Sequence, residues 1–284
     1  MGPTVSKKLP QIILLGDSLT EWGFDEHTEG FGWYLESWYK GKAEIINKGY
    51  ASYTSSHIQH EFPRLLSSIT APSAPPTLLL TIFLGANDAC FVGKTEYVPL
   101  PKFEANIREF VETALTQDAL PDTKIVLITP PPINIPDPVG KDDDDEEEED
   151  LDLGPSMAAA LAAARPNPKE ERGYRTYKSK KRYADKILEI AKEYEETGRV
   201  VGLDYWTALV DAGLADQGRE GEAEAERYDE DRLPGCGLKT AKKFEAGYFT
   251  DGLHLGKRGY QVLSKVLVEK VVGTWPELAP DRLG

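Results

Sequence analysis

Five short apolar runs, at residues 12–15, 43–46, 78–84, 125–129 and 200–203, constrain this chain more than any other feature. Most are continuous rather than alternating. A strand with water on one face alternates apolar and polar side chains, whereas a strand covered on both faces does not. Segments with helical spacing lie between the runs. Residues 31–39 are aromatic-rich, and 57–69 carry Ile58, Phe62, Leu65, Leu66 and Ile69. Residues 101–115 present Phe103, Ile107, Phe110 and Val111 at steps suited to one helix face. Residues 174–194 run from basic to acidic with Tyr183, Ile187, Ile190 and Ala191 inward, and 257–272 carry Tyr260, Leu263, Val266, Leu267 and Val271. Strands alternating with helices of this length predict an α/β fold built on a mostly parallel sheet. Right-handed crossovers then cover both of its faces with helices.

Two segments interrupt the pattern. The chain from Pro130 to about Arg172 runs through prolines, nine consecutive acidic residues at 142–150, and an alanine-rich stretch at 158–164. Like charges in such a block repel one another and resist burial, so a solvated, largely disordered insertion is expected at about 137–171, with a short helix in the alanines. The second insertion, at about 216–231, is also acidic and is expected to continue as an exposed helix. Apolar αβ material resumes after each, so residues 1–284 read as a single domain. The acidic block accounts for nine of the fifteen net negative charges. No basic footprint for nucleic acid is present. The two cysteines, Cys90 and Cys236, give no disulfide framework. With no signal-like leader and no run long enough to span a bilayer, the expected location is the cytoplasm.

The first run stops at Gly16 and offers Ser18 just past its end, where an open parallel sheet presents reactive groups. Ser or Asp at that place also caps helices, so the serine alone settles nothing. A nucleophilic serine needs a base, and the base needs an orienting group. Of the four histidines, His27 lies in a polar loop, and His57 and His60 sit on an amphipathic helix at its solvent-exposed or core edge. His254 has Asp251 three residues earlier, a spacing that in a tight turn brings carboxylate and imidazole together. The plainer alternative makes Asp251 a helix cap and His254 a surface residue. After the third run, Gly85 permits a close turn and Asn87 offers a side-chain NH₂ toward an oxyanion; Asn-Asp is equally a turn signal. Asp88 is expected to hold that loop by accepting backbone N–H groups. The loop after the second run adds a third approach to the same sheet edge. Trp22 and Phe24 are candidates for an apolar substrate pocket, with core packing as the alternative. Metal-ligand spacings, a Gly-rich dinucleotide loop and the G-x-S-x-G elbow are all absent from the sequence, so no metal or cofactor is expected.

The blocks Gly16-Asp17-Ser18-Leu19, Gly85-Ala86-Asn87-Asp88 and Asp251-Gly252-Leu253-His254 resemble the signature blocks of the GDSL/SGNH hydrolases, in order and over essentially the whole chain. Phe31-Gly32-Trp33 followed by Leu35, Pro130-Pro131-Pro132, and Leu255 after His254 are similar to the isoamyl acetate-hydrolysing esterase branch. The resemblance implies a three-layer α/β/α sandwich around a five-stranded parallel sheet. It also implies hydrolysis of short-chain, acetate-type esters, with Ser18 as nucleophile and Asp251 and His254 completing the triad. Asn87 would be an oxyanion donor beside the backbone N–H of Ser18.

One position departs from the family pattern. Counted from Asn47, the place of the usual oxyanion glycine holds Ser52, while Gly49 lies three residues earlier. A backbone N–H survives the exchange, so Ser52 is the expected third donor and Gly49 a turn residue. Three other readings use the same residues: a transacylase, a carbohydrate O-deacetylase, and an inactive scaffold whose acidic tract binds a basic partner. The expected partner is a small-molecule ester, and the family branch also implies a homodimer.

Overall fold

All five apolar runs form strands: β1 (Gln11–Gly16), β2 (Glu44–Gly49), β3 (Thr77–Phe83), β4 (Lys124–Ile128) and β5 (Val200–Leu203). The structure, a computed structural model, describes residues 8–90, 96–135, 167–170 and 172–283. The acidic tract at 142–150 and the helix expected at 158–164 lie outside the described residues. The strands pair only in parallel, in the order β2-β1-β3-β4-β5. The longer helices between and after them are α2 (Phe31–Trp38), α3 (Ser55–Ile69), α4 (Leu100–Leu115), α5 (Arg172–Glu193), α6 (Tyr205–Asp216) and α8 (Lys257–Thr274). The described residues also include two single-turn helices, α1 (Ser18–Glu21) and α7 (Glu224–Arg227).

Continuity of the apolar runs follows from this layering. Ile12 and Leu14 of β1 join Phe31, Leu35, Leu209, Leu263 and Leu267 in one core, beneath α2, α6 and α8. Ile13 and Leu15 point the other way and join Ile58, Phe62, Ile107, Phe110 and Ile187, beneath α3, α4 and α5. Successive side chains leave a strand on opposite faces, so both faces need apolar residues once both are covered. Each fully buried aliphatic or aromatic side chain contributes roughly 1.5–3 kcal/mol, which makes these two layers the main stabilising term. Among the described residues no helix is long and apolar enough to cross a membrane.

Helix α6 was not foreseen. It is apolar on nearly every side, with Trp206, Leu209, Val210 and Leu214 buried, so no amphipathic period marks it. Its visible signal is Asp204, whose carboxylate caps the helix by accepting from Thr207 N at 3.0 Å. Of the exposed helix expected over 216–231, only the single exposed turn of α7 forms. Helix α6 stops at a Schellman arrangement, with Gly218 N donating to Ala215 O and Arg219 N to Leu214 O. The chain beyond folds back in turns around the single turn of α7. Arg219 ties it together, binding Glu222 at 2.9 Å and the Arg232 carbonyl at 2.6 Å.

Because every strand points the same way, Gly16, Gly49 and Phe83 end on one edge of the sheet. The connection from β1 to β2 runs over one face through α2, and that from β2 to β3 over the other through α3. The chain thus reverses its winding at β1, and an open parallel sheet leaves its crevice at such a switch point.

Candidate active site

Ser18 opens α1 immediately beyond β1. Asp17 is the N-cap, its Oδ1 accepting from Leu19 N at 2.9 Å, and this turns the Ser18 side chain toward the crevice. The capping role falls to Asp17, and Ser18 lines the cavity. Burial is the largest influence on Asp17 and pushes its carboxyl up to about 7.

The loop carrying Asp251 and His254 lies between α7 and α8. It is closed by a bridge between Phe249 and Leu255 and by Thr250 N donating to His254 O at 2.8 Å. Asp251 Oδ1 accepts from Leu253 N at 2.9 Å and His254 N at 2.8 Å, while its Oδ2 stands 2.6 Å from His254 Nδ1. Burial raises the Asp251 carboxyl, but the hydrogen bonds from His254 and Leu253 outweigh it and hold the group below the usual carboxylate range. With Nδ1 carrying the proton toward that carboxylate, Nε2 presents a lone pair 3.1 Å from Ser18 Oγ. Ser18 and Asp251, 233 positions apart, are thereby joined through one imidazole.

A segment that sequence reasoning passed over holds this loop in place. Asn134, after β4, accepts from Phe244 N at 3.0 Å through its side chain, and its N–H donates to Gly252 O at 2.8 Å. Gly252 has φ +86°, and a Cβ there would stand 2.5 Å from Asn134 O, so only glycine fits. Trp22 lies against the other side of the imidazole, ring centroids 4.3 Å apart, and is 47% exposed.

Asn87 follows β3. Its Nδ2 donates one hydrogen to Tyr53 O at 2.8 Å, which fixes the carboxamide and leaves the second hydrogen for a ligand. Asp88 behaves as expected of a loop holder, accepting from Ser55 N at 2.9 Å and Ser55 Oγ at 2.5 Å at the start of α3. Burial, the leading cause, raises the Asp88 carboxyl to about 6.

The third loop is knitted by residues of β2 and α1. Asn47 Nδ2 donates to Glu21 O at 3.0 Å, Gly49 N donates to Asn47 Oδ1 at 2.8 Å, and Ala51 N donates to the Glu21 carboxylate. Gly49 is the last residue of β2 rather than the expected turn residue. Its lack of a side chain serves close approach, since a Cβ would lie 2.0 Å from Glu21 N. Ser52 takes the left-handed conformation, φ +65°, which glycine adopts without strain. Neither the Ser18 nor the Ser52 N–H donates to any described residue.

Ser18, Ser52, Asn87 and His254 line one cavity of about 610 Å³, together with Trp22, Cys90, Ile133 and Leu253. Phe24 is not among its lining residues. Its ring packs over Gly32 of α2 at the edge of the core, so the core alternative holds for Phe24 while Trp22 faces the cavity. His57 closes a capping box with Thr54 at the start of α3, and the exposed His27 and His60 stand outside the cavity. Among the described residues no three His, Cys, Asp or Glu side chains are grouped to hold a metal ion.

The isoamyl acetate-hydrolyzing esterase 1 homolog of Bos taurus is 32% identical over 126 residues, 44% of this chain and 49% of the relative. The isoamyl acetate-hydrolyzing esterase of Saccharomyces cerevisiae is 35% identical over 108 residues, 36% of this chain and 43% of the relative. The match thus spans about half the length of these curated relatives. Among solved structures, an acetylxylan esterase of Geobacillus stearothermophilus superposes with a TM-score of 0.56 at 14% identity, covering 94% of this chain and 96% of that one. At that identity the likeness speaks for the fold, an SGNH-type three-layer sandwich. The GDSL-like lipase/acylhydrolase family model matches residues 14–262, and the chain belongs to that family.

Proposed function

We propose that this protein is a serine esterase that hydrolyses short-chain, acetate-type esters through an acyl-serine intermediate. The observation that carries the reading is the unbroken relay from Ser18 Oγ through His254 to Asp251, at 3.1 and 2.6 Å. Ser18 Oγ attacks the ester carbonyl carbon as Nε2 of His254 takes its proton. Asp251 holds the imidazole in the required tautomer and offsets the imidazolium charge that develops. The carbonyl electrons move onto oxygen. The Ser18 and Ser52 N–H groups and the second hydrogen of Asn87 Nδ2 stabilise the resulting alkoxide. His254 then protonates the leaving alcohol. It next takes a proton from water, whose oxygen attacks the acyl carbon, and the acid leaves as Ser18 recovers its hydrogen.

The names of the bovine and yeast relatives support acetate esters as the substrate class. The aromatic and aliphatic wall formed by Trp22, Ile133 and Leu253 supports an apolar portion in the ester. Replacing Ser18 with alanine should abolish turnover of p-nitrophenyl acetate with no change in the thermal unfolding midpoint. Activity retained by Ser18→Ala, or a rate maximum at long acyl chains in a panel of p-nitrophenyl esters of increasing acyl length, would overturn the corresponding half of the reading.

A further inference from the structure

Beneath the candidate site lies a lysine that the proposed chemistry does not use. Lys180 projects from the inward face of α5 and is 2% exposed, among Tyr177, Tyr183, Ala184 and Ile187 on the same helix. An ammonium in such a place is costly to strip of water, and an apolar residue would serve packing better. Lys180 makes no salt bridge with any described residue; its Nζ donates to the Ala86 carbonyl at 2.5 Å. Burial pulls its ammonium below the usual lysine range, opposed by Cys90, Asp17 and Asp88. Asp17 immediately precedes Ser18, and Asp88 immediately follows Asn87. The buried positive charge therefore stands under both turns from which the site is built.

Ala86 O has a particular place in the second turn. Gly85 O accepts from Ala89 N at 3.0 Å, Asn87 O from Cys90 N at 2.9 Å, and Asp88 O from Val98 N at 3.1 Å. Main-chain donors thus fix three of the four carbonyls, and Lys180 fixes the fourth, on the peptide that leads directly into Asn87. We propose that Lys180 is a positioning residue of the oxyanion site. By gripping the Ala86 carbonyl at 2.5 Å from inside α5, it sets the Ala86–Asn87 peptide so that the carboxamide presents its second N–H to the cavity. Asn87 is then held at both ends, by Tyr53 O on its side chain and by Lys180 through the preceding peptide. Lys180 itself touches no reacting atom. This inference rests on the esterase reading above.

A double-mutant cycle in the full-length protein tests it, with Ser18→Ala, Asn87→Ala, Lys180→Met and Lys180→Met/Asn87→Ala assayed on p-nitrophenyl acetate. Loss of one oxyanion donor costs about 10²–10³-fold in kcat, so Asn87→Ala should fall in that range. Lys180→Met should lower kcat about 10–100-fold with KM changed less than about twofold, because the defect is felt only as the oxyanion forms. The double variant should be no worse than Asn87→Ala alone, within about threefold, because both changes remove one function. Lys180→Arg, which keeps a charged donor, should recover most of the lost kcat. If Lys180→Met does not fold, Lys180→Gln takes its place in the same cycle. Unimpaired kcat at position 180, or losses that multiply in the double variant, would overturn the proposal, as would an unimpaired Asn87→Ala. An active Ser18→Ala instead overturns the esterase reading itself, and the two failures are separate.

Discussion

Ser52 is an L-residue held where a glycine would be unstrained, and Ser52→Gly measures what that costs. Its φ of +65° lies in the left-handed region, which costs an L-residue about 1–2 kcal/mol. Glycine removes that strain but gives the unfolded chain more freedom, worth about 0.5–1 kcal/mol in the opposite direction. At the middle of both ranges the difference is a gain of about 0.75 kcal/mol for the variant. In a chain of this size that corresponds to a rise of about 1–4 °C in Tm. Activity should change less than about threefold, because the N–H proposed as an oxyanion donor is retained and the Ser52 hydroxyl has no hydrogen-bond partner among the described residues. Ser52→Ala keeps the Cβ and the strain while removing the hydroxyl, and should match the wild-type protein in both Tm and kcat. Thermal unfolding followed by circular dichroism, with p-nitrophenyl acetate kinetics on the same samples, reads both quantities. A lower Tm for Ser52→Gly would refute the strain argument. A tenfold loss of kcat in Ser52→Ala would show that the hydroxyl acts on the substrate.

Two further outcomes are expected. Asp251→Asn should leave the fold intact, because an amide oxygen still accepts from Leu253 and His254 N. Its NH₂ would face Nδ1 and favour the wrong tautomer, and kcat should drop about 10³–10⁴-fold in steady-state assays; a loss under tenfold would refute the orienting role. Asp17 and Asp88 bear on stability against pH. Their carboxyls are raised to about 7 and about 6 in the folded state, above ordinary unfolded values near 4. The native state therefore holds these protons more tightly. The stability they contribute is fully present below about pH 4 and is lost as pH rises through about 6 to 7. At about 1.4 kcal/mol per unit, Asp17 accounts for a few kcal/mol at most. Asp17→Asn has no such proton to lose. Urea unfolding at pH 5 and pH 8 should show a smaller decline for the variant than for the wild-type protein, and equal declines would refute burial of a titrating carboxyl at this position.

The chain's own order carried much of the fold. Apolar runs long enough for one strand each, most of them continuous rather than alternating, pointed to a sheet covered on both faces. Ser18, Asn87 and the Asp251–His254 spacing stood out because the chemistry needs those residue types at strand ends and turns. Helix α6 escaped because a segment apolar on nearly every side has little period to read. The expected helix at 216–231 is cut to the one turn of α7, because the main-chain turn after α6 and the Arg219 contacts redirect the chain. Gly49 is a related case, since what it avoids is the backbone of Glu21, 28 positions earlier.

Sequence by itself thus determined the layers, the direction of the strands and the candidates for the reacting groups, because these follow from local periodicity and side-chain chemistry. Tertiary structure alone decided the aim of those groups. It brought His254 to Ser18, set Asn134 against Gly252, placed Trp22 rather than Phe24 at the cavity, and carried Lys180 to Ala86 across 94 positions of chain. These contacts join residues far apart in sequence. Their geometry depends on how whole layers pack, and no short-range pattern records it.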